Sequence, residues 1–558
     1  MKLESNKRYP KYETLREYLD YSSEMFNDKI ALVEVKDDSK VTFKEFRDSS
    51  IYVAYSLSGL LNKDDTKCAI IGENSIAFMI AYFGAILSNN VSVLIAGDLD
   101  TDTLTYQIDY TDCEIVFASR RYMAKINEIR ENLPKVKHVI LLDDEEQKKH
   151  IKIQDLILEG KKSGEKAFCK YNDMITEPDR ICQILFTSGT SGYNKAVMLS
   201  NRNVCCSVYS ALVYMGRFGT TISVLPFYHA YENACHVLTV LFGGFTNYIN
   251  DNLMHMMKNF KEIPAEVTVV VPMVLDSIVA RIKAESDRLH TTKYLAWGMK
   301  GSDVLRKIGI DVREKWYKSI LCNFSKELRT FIVGGAAVSI DTYNILTSIG
   351  FNIITGYGET ECGPLIACNT LEKHNGVSVG KVIEDMEVKI GAADENGNGE
   401  ILVKGKGVMV GYYKEDEATR ATFDEDGWLK TGDLGHFNSK KELVICGRSK
   451  NLIILSNGKN VYPEELEILL KKRLKYIEEV VVSTNEKQTG IYAEIYPNKA
   501  FAEGKTDDEL YKIIKFDVAK FNKKMPTYKY IKDIKIRREE FKKNINKKIV
   551  RYELSKGM

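Results

Sequence analysis

Residues 181 to 200, ICQILFTSGTSGYNKAVMLS, restrict the possible folds of this chain more than any other stretch. An apolar, strand-like run ends in a loop of small and hydroxyl-bearing residues, after which apolar residues resume. The loop contains Thr187, Ser188, Gly189, Thr190, Ser191, Gly192 and Lys195. Glycine lets backbone N–H groups turn toward one point, while hydroxyls and a lysine add donors and positive charge. This composition predicts a cradle for phosphate groups.

Two other interpretations of the loop need consideration. The spacing from Gly189 to Gly192 and Lys195 does not fit the G-x-x-x-x-G-K-[ST] nucleotide loop, and Ala196 replaces its metal-binding hydroxyl. This mismatch disfavours a kinase or a P-loop ATPase. A flexible Gly/Ser loop is compatible with the composition of the segment alone, so the choice depends on the rest of the chain.

The overall composition is that of an ordinary globular protein. Lys plus Arg, 79 residues, nearly balances Asp plus Glu, 77 residues, so no global field favours nucleic acid or an anionic membrane. Eleven cysteines without C-x-x-C pairs favour reduced thiols in a cytoplasmic protein. The N-terminus is too charged for a signal peptide, and the longest apolar stretch, residues 76 to 87, is too short to span a bilayer. We expect a soluble, cytoplasmic protein with no transmembrane segment.

Alternating strand and helix patterns predict an α/β fold. Buried strands at residues 68 to 72 and 91 to 95, separated by a helix, indicate mostly parallel, helix-covered sheets. From about residue 376, short strands and turns indicate a β-rich subdomain. The predicted domains are a large multi-subdomain body, 1–447, and a small, mobile α+β domain, 448–558.

Two further strands are predicted to end in glycine-rich turns. Residues 330 to 333 run into Gly334, Gly335 and Ala336, and residues 352 to 354 run into TGYGETECGP. Because ligands bind outside the carboxyl ends of parallel strands, we expect these turns and the 187–195 loop to share one site. Considered singly, Glu361 is more typical of a helix N-terminal cap, and Asp433 of a turn.

Five motifs in this order resemble the adenylate-forming acyl-activating enzymes, the AMP-binding superfamily that includes acyl-CoA synthetases. They are TSGTSGYNKAV, GGAA, GYGETE, GYYK followed by DGWLKTGDLG, and GRSKNLII followed by GKNVYPEELE. The resemblance extends over nearly the whole chain. It implies ATP-dependent conversion of a carboxylate to acyl-AMP with release of pyrophosphate, then transfer of the acyl group to a thiol, usually that of coenzyme A. It also implies Mg²⁺, because two anions must meet.

The resemblance assigns most motif residues to the nucleotide. The loop residues from Thr187 to Lys195 would hold the β- and γ-phosphates. The adenine would contact Gly334, Gly335, Ala336, Tyr357 stacked on its face, and the neighbouring Gly358.

Four further residues receive roles from the resemblance. Thr360 would touch the α-phosphate, and Glu361 would hold Mg²⁺, a cation suited to carboxylate oxygen. Asp433 would bind the ribose hydroxyls, and Arg448 would complete that contact.

The small domain is implied to carry the catalytic lysine. Spacing in the stretch from residue 544 to 553 selects Lys548, which would bridge the incoming carboxylate and the α-phosphate. Lys450 falls at the position of the interdomain hinge, and Gly458 would reach the thiol tunnel. His229 would lie near the substrate carboxylate or gate the acyl pocket, although a histidine beside aromatics is as typical of a packed core.

The acid is indicated by two segments. The turn PFYHAYE, residues 226 to 232, and the Trp-containing helical segment before GGAA look most like long- or medium-chain fatty acyl-CoA synthetases. Three alternatives stay open: an aryl-acid ligase, a ligase that loads the phosphopantetheine thiol of an acyl carrier protein, and a non-catalytic nucleotide-binding sensor.

Overall fold

The computed structural model describes residues 9–61, 63–143, 150–187, 194–216, 218–288, 290–324, 327–455, 459–485, 490–543, 549 and 551. The chain divides into two compact units. The first unit is Met1–Glu387 with Lys404–Gly427, and the second is Val388–Val403 with Trp428–Met558. The second unit thus includes residues 388–403 and 428–447, which the sequence-based division assigns to the body. The boundary at residue 447 stays a prediction.

An eight-stranded sheet in the first unit carries the 181–200 segment. Its strands run parallel except at one edge, where Lys195–Ser200 and Gly411–Tyr412 are antiparallel to their neighbours. The inner strands are mostly apolar and almost entirely buried, as is typical of parallel strands in α/β folds. In spatial order the strands are Gly411–Tyr412, Lys195–Ser200, Ile181–Thr187, Val91–Leu94, Lys67–Ile71, Cys113–Ala118, His138–Leu141 and Ile151–Lys152.

A nine-stranded sheet in the same unit carries the other two glycine-rich turns. Asn352–Tyr357 extends beyond the predicted 352–354 because Gly356 and Tyr357 pair antiparallel with Cys368 and Ala367. In spatial order the strands are Lys381–Val382, Ala367–Cys368, Asn352–Tyr357, Thr330–Val333, Val267–Val270, Thr220–Ser223, Thr246–Ile249, Ile30–Glu34 and Lys40–Thr42.

Helices of the first unit begin where the sequence offers caps. Thr14 and Glu17 form a reciprocal capping box, and Ser200 caps the helix after the hairpin. The α-helices are Leu15–Phe26, Phe43–Leu61, Ile76–Leu87, Thr101–Tyr110, Arg120–Ile129, Ile153–Ser163, Glu165–Asp173, Asn201–Met215, Ala230–Glu232, Thr239–Gly243, Met256–Glu262, Pro272–Arg288, Thr292–Lys307, Arg313–Trp316, Lys318–Phe324, Ile340–Ile349 and Asp416–Thr422. No helix in the described ranges is long and apolar enough to cross a membrane.

The second unit has its own apolar core. Helices Pro463–Arg473 and Asp507–Asn522 contribute Leu466, Leu470 and Ile514 to that core, together with residues of a three-stranded sheet. The three strands are Ile477–Thr484, Ile491–Pro497 and Ile531–Ile536, and a two-stranded ribbon is Ile453–Ile454 with Asn460–Val461. A short helix is Lys499–Ala502. A four-stranded sheet is Met386–Ile390, Gly399–Gly405, Leu429–Phe437 and Leu443–Arg448, of which residues 386–387 and 404–405 belong to the first unit.

Candidate functional site

The predicted phosphate loop is the connection of a β-hairpin. Ile181–Thr187 and Lys195–Ser200 pair antiparallel, with Thr187 opposite Lys195. This pairing brings two predicted phosphate ligands together at the mouth of the loop. The other predicted ligands lie outside the described residues; they are Ser188, Gly189, Thr190, Ser191 and Gly192.

Tyr412 connects Lys195 to Glu361. The Lys195 Nζ atom lies 4.2 Å from the centroid of the Tyr412 ring, within range of a cation–π contact. The Tyr412 hydroxyl donates to Glu361 Oε1 at 3.1 Å. Burial, reinforced by the charge of Glu361, raises the pKa of Tyr412, so the hydroxyl stays a donor. A cation, an aromatic ring and a carboxylate therefore form one contiguous row.

A single 3₁₀ turn, Thr360–Cys362, carries Glu361. The backbone amide of Met409 donates to the Glu361 carbonyl at 2.8 Å. Gly363 follows with a φ of 73°, and a Cβ there would lie 2.6 Å from the Asn203 carbonyl oxygen. Only glycine combines this conformation with such a close approach. The backbone at Thr360 and Glu361 is therefore fixed on both sides.

Glu361 is suited to a magnesium ion that is bound together with phosphates. Its Oε1 accepts from Tyr412, and Oε2 has no protein partner within the described part of the chain. Mg²⁺ usually takes one or two carboxylates plus substrate phosphates and water, rather than a cage of protein ligands. Among the described residues, no group of three or more His, Cys, Asp or Glu could hold a metal.

The Gly334-Gly335 turn lies against Tyr231. A Cβ on Gly334 would come within 2.7 Å of the Tyr231 ring, so the ring packs directly on the backbone. Gly335, with a φ of 79°, and Ala336 are exposed and leave the backbone open to a planar ligand. The Tyr231 hydroxyl is buried and has no hydrogen-bond partner in the described ranges. Such an unsatisfied group beside an open turn is available to a ligand.

Tyr357 is the last residue of its strand and is partly exposed, as stacking on a ligand requires. A Cβ on the next residue, Gly358, would lie 2.0 Å from the Pro364 carbonyl oxygen. The chain between Tyr357 and Pro364 therefore folds back on itself only because Gly358 has no side chain.

His229 begins a short helix in the aromatic turn. Its ring contacts Tyr228, with the two ring centroids 4.6 Å apart. Burial lowers the pKa of His229, so the imidazole is neutral at neutral pH. This neutral state excludes a permanent positive charge at His229 and leaves hydrogen bonding as its means of contacting a carboxylate.

A buried polar network lies directly after the aromatic turn. His236 Nδ1 lies 2.8 Å from Glu232 Oε1, and His236 Nε2 lies 2.9 Å from Thr221 Oγ1. Thr221 in turn donates to Asn247 Oδ1 at 2.8 Å. All four side chains are fully buried. The π-helical segment Asn233–Leu238 carries His236, and such segments are frequent at functional sites.

In the second unit, Asp433 and Arg448 meet as neighbours on adjacent strands. They are register partners in an antiparallel pair, and Arg448 Nε lies 2.9 Å from Asp433 Oδ1. The Asp433 side chain is buried, whereas Arg448 is exposed. The carboxylate is thus held by a partner that can also reach a ligand.

Of the three site residues predicted in the small domain, the structure describes one. Lys450 lies on the exposed 3₁₀ turn Ser449–Asn451. Gly458 and Lys548 lie outside the described residues, and their roles stay predictions.

The sequence motifs did not single out Tyr412 or the Glu232–His236 pair. Tyr412 belongs to the GYYK motif, but the role of its side chain depends on strand pairing between residues more than two hundred positions apart. Glu232 and His236 have the i, i+4 spacing that joins side chains on one helix face, which is the only local signal for their contact.

The model of the AMP-binding enzyme family matches residues 19–413, and that of the AMP-binding enzyme C-terminal domain matches residues 450–554. The chain belongs to the AMP-binding enzyme family. The resemblance inferred from the five motifs is therefore confirmed.

Two curated relatives of this AMP-binding enzyme have similar identities. Fatty acyl-CoA synthetase B of Dictyostelium discoideum is 24% identical over 531 residues, which cover 89% of this chain and 78% of the relative. The long-chain-fatty-acid–[acyl-carrier-protein] ligase AEE15, chloroplastic, of Arabidopsis thaliana is 26% identical over 556 residues, which cover 86% and 76%. The alignments thus span most of each protein.

Solved structures confirm the predicted fold class. The anthranilate CoA ligase AuaEII in complex with anthranoyl-AMP superposes with a TM-score of 0.75 at 18% identity and covers 98% of this chain and 97% of that chain. The O-succinylbenzoate coenzyme A synthetase of Bacillus subtilis, in complex with ATP and magnesium ion, gives 0.70 at 20% identity, with 96% and 98% covered.

Proposed function

We propose that this AMP-binding enzyme converts a long-chain fatty acid and ATP to acyl-AMP and pyrophosphate, and then transfers the acyl group to coenzyme A. The observation that carries the proposal is the row of Lys195, Tyr412 and Glu361 at the mouth of the hairpin. It puts a cation and a magnesium-suited carboxylate beside the predicted phosphate loop.

The predicted enzyme class, an AMP-forming acid–thiol ligase, is confirmed by the family and by the names of the relatives. The predicted use of ATP, Mg²⁺ and coenzyme A agrees with the coenzyme A synthetase of Bacillus subtilis, which was solved in complex with ATP and magnesium ion. A small-molecule carboxylic acid is accordingly the substrate class. The sensor without catalysis is not favoured.

The residues of the candidate site suit the charge neutralisation that the first step requires. Thr187 and Lys195 would bind the terminal phosphates, and Glu361 would hold Mg²⁺, which supplies further neutralisation of the triphosphate. Thr360 would orient the α-phosphate for in-line attack by the carboxylate oxygen, and Lys548 would bind both reacting anions.

The acceptor thiol has a second candidate. The Arabidopsis relative is a long-chain-fatty-acid ligase for an acyl carrier protein, so a carrier phosphopantetheine could replace coenzyme A. Both acceptors present the same thiol. The second unit would have to accommodate a protein only if the acceptor is a carrier protein.

We infer a cytoplasmic location because all eleven cysteines are free.

The test is pyrophosphate release from the purified protein with Mg²⁺-ATP and a panel of straight-chain, branched and aromatic acids. Coenzyme A and a phosphopantetheinylated carrier protein are supplied separately as acceptors, and thioesters are identified by mass spectrometry. Release that requires a long straight-chain acid, with acyl-CoA as the product, is the expected result.

Lys548→Ala and its neighbour Lys547→Ala form a matched pair for this assay. Because a single lysine is expected to bridge carboxylate and α-phosphate, Lys548→Ala should lower the rate of acyl-AMP formation by at least about a hundredfold. Lys547→Ala should retain most of it. Equal losses in both variants, or release with none of the acids, would contradict the proposal.

A further inference from the structure

An apolar, aromatic stripe covers one face of helix Thr292–Lys307 and points to solvent. Tyr294 is 79% exposed and Trp297 is 81% exposed, and Val304 and Ile308 continue the row at 61% and 68%. With Gly301 between them, these residues follow each other at alternating steps of three and four, the spacing that lines one helix face. Exposed contiguous apolar surfaces of this kind mark interaction sites.

The stripe is not the face that holds this helix to the body. Leu295 and Met299 pack on the apolar core beneath the nine-stranded sheet. Ser302 donates to the Ser348 carbonyl at 3.1 Å. Because these three residues lie on the other side of the helix, its orientation is fixed and the stripe stays outward.

Trp316 enlarges the exposed surface. Gly301 leaves a gap in the stripe, and a Cβ built on Gly301 would lie 3.3 Å from a ring carbon of Trp316. Trp316 is itself 48% exposed. Two of the three tryptophans of the chain are thus exposed along the same helix, since Trp316 adjoins Gly301, four residues after Trp297.

Basic residues border the stripe. Lys293 and Lys300 are exposed, seven residues apart, and adjoin the stripe along the same side. Neither forms an ion pair with any described residue, whereas Arg306 and Arg313 are paired with Asp303 and Asp311. Between residues 292 and 318 there are seven basic and three acidic side chains. The unpaired positive charge therefore lies next to the apolar row.

We propose that this surface, formed by Tyr294, Trp297, Val304, Ile308 and Trp316 with Lys293 and Lys300, docks on an anionic lipid bilayer. Trp and Tyr favour the interface between headgroups and hydrocarbon, and a helix with such a face lies in the plane of the membrane. Lysines beside it attract acidic headgroups. The docking is a property beyond the proposed ligase activity.

Tryptophan emission tests the docking directly. In a Trp316→Phe/Trp428→Phe protein, Trp297 is the single reporter, and its emission should shift to the blue on addition of vesicles. Partitioning into phosphatidylcholine vesicles that contain phosphatidylglycerol should exceed partitioning into phosphatidylcholine alone, and should weaken as salt is added.

Two sets of variants separate the apolar and the charged contribution in vesicle co-sedimentation. Val304→Ser/Ile308→Ser should weaken binding to both kinds of vesicle about tenfold, while Lys293→Glu/Lys300→Glu should do so only for the anionic vesicles. Matched controls are Ile175→Ser/Phe516→Ser and Lys166→Glu/Lys512→Glu, which change equally exposed residues elsewhere. The thermal unfolding midpoint should be unchanged in all four, because every changed side chain is exposed.

Three results would overturn the proposal. They are no vesicle binding, binding that the stripe and lysine variants leave intact, and a dimer in solution that the stripe variants dissociate. The last would assign the surface to a second copy of the chain. None of these measurements uses ATP or turnover, so a failure here leaves the ligase proposal intact, and the reverse also holds.

Discussion

At the level of single residues, Tyr412 contacts two charged groups of the candidate site. Its ring lies under the Lys195 ammonium group, and its hydroxyl orients the Glu361 carboxylate. One side chain thus holds both charges that a triphosphate with its magnesium ion would meet. Mutation of a group that orients a metal ligand typically lowers metal affinity or activity by tenfold or more.

Tyr412→Phe isolates the contact to Glu361. The ring under Lys195 is kept, but the donor to the carboxylate is lost, so the Mg²⁺ concentration for half-maximal pyrophosphate release should rise about tenfold. Tyr413→Phe is the control, because it removes a hydroxyl that donates to Asp112 at 2.7 Å instead. An equal rise in both variants would show that the effect is not specific to Glu361.

His374 gives the first unit a pH-dependent stability. Burial, assisted by the charges of Arg306 and Arg313, lowers the pKa of His374 below its usual 6.5. The folded chain then binds fewer protons than the unfolded chain, so the stabilisation is present above about pH 6.5 and is lost as the pH falls below it. The thermal unfolding midpoint should therefore fall between pH 7 and 5.5.

A variant assigns this loss to one imidazole. His374→Gln should show a shallower decrease of the midpoint over the same pH range, since it has no proton to take up there. His290→Asn, at an exposed position with a φ of 53°, should follow the wild-type curve. A His374→Gln curve parallel to wild type would rule out the assignment.

At the level of elements, the π-helical segment after the aromatic turn is held by buried polar groups. Glu232 and His236 contact each other, and strand residues Thr221 and Asn247 complete the network. A fully buried network of this kind costs desolvation and specifies one arrangement only when every member is present. The segment therefore ties the aromatic turn with His229 to the nine-stranded sheet.

Removal of one member of this network should lower the free energy of unfolding. His236→Ala leaves the Glu232 carboxylate buried without its partner, which should lower the free energy of unfolding by about 3–5 kcal/mol. His255→Ala breaks a histidine–carboxylate contact of the same i, i+4 spacing at an exposed site, so it should cost less than about 1 kcal/mol. Unfolding midpoints in urea measure both, and similar losses would contradict the role assigned to the buried network.

At the level of the whole molecule, one chain that is divided into two units is implied to perform two successive reactions. The resemblance implies a small domain that rotates about a hinge at Lys450 between the adenylation and the thioester-forming step. We propose this hinge on the observation that Lys450 lies on an exposed 3₁₀ turn between two strands. Hinges are a few loop or element-terminal residues that absorb a change of φ and ψ.

Lys450→Pro tests the hinge by restricting φ at that residue. If rotation is needed only for the second step, acyl-AMP formation should stay within about threefold of wild type while acyl-CoA formation falls by at least about tenfold. Lys450→Ala, which removes the charge and keeps the backbone free, is the control. A loss of both steps in proportion would argue against a hinge at this residue.

Local pattern was sufficient for much of the architecture. The strand at Lys67–Ile71 and the helix starts at the caps Thr14 and Ser200 follow from local sequence, because apolar periodicity and capping act within a few residues. For the same reason the three glycine-rich turns could be predicted as ligand-binding turns, which stays a prediction, and the order of motifs identified the family.

Contacts that depend on distant parts of the chain were not visible in this way. The row of Lys195, Tyr412 and Glu361, the extension of a strand to Tyr357, and the Glu232–His236 network arise from the pairing and packing of segments far apart in the sequence. The outward stripe with Trp297 illustrates the same limit. Its spacing indicates an apolar helix face, but whether that face is core or surface depends on which side the sheet covers.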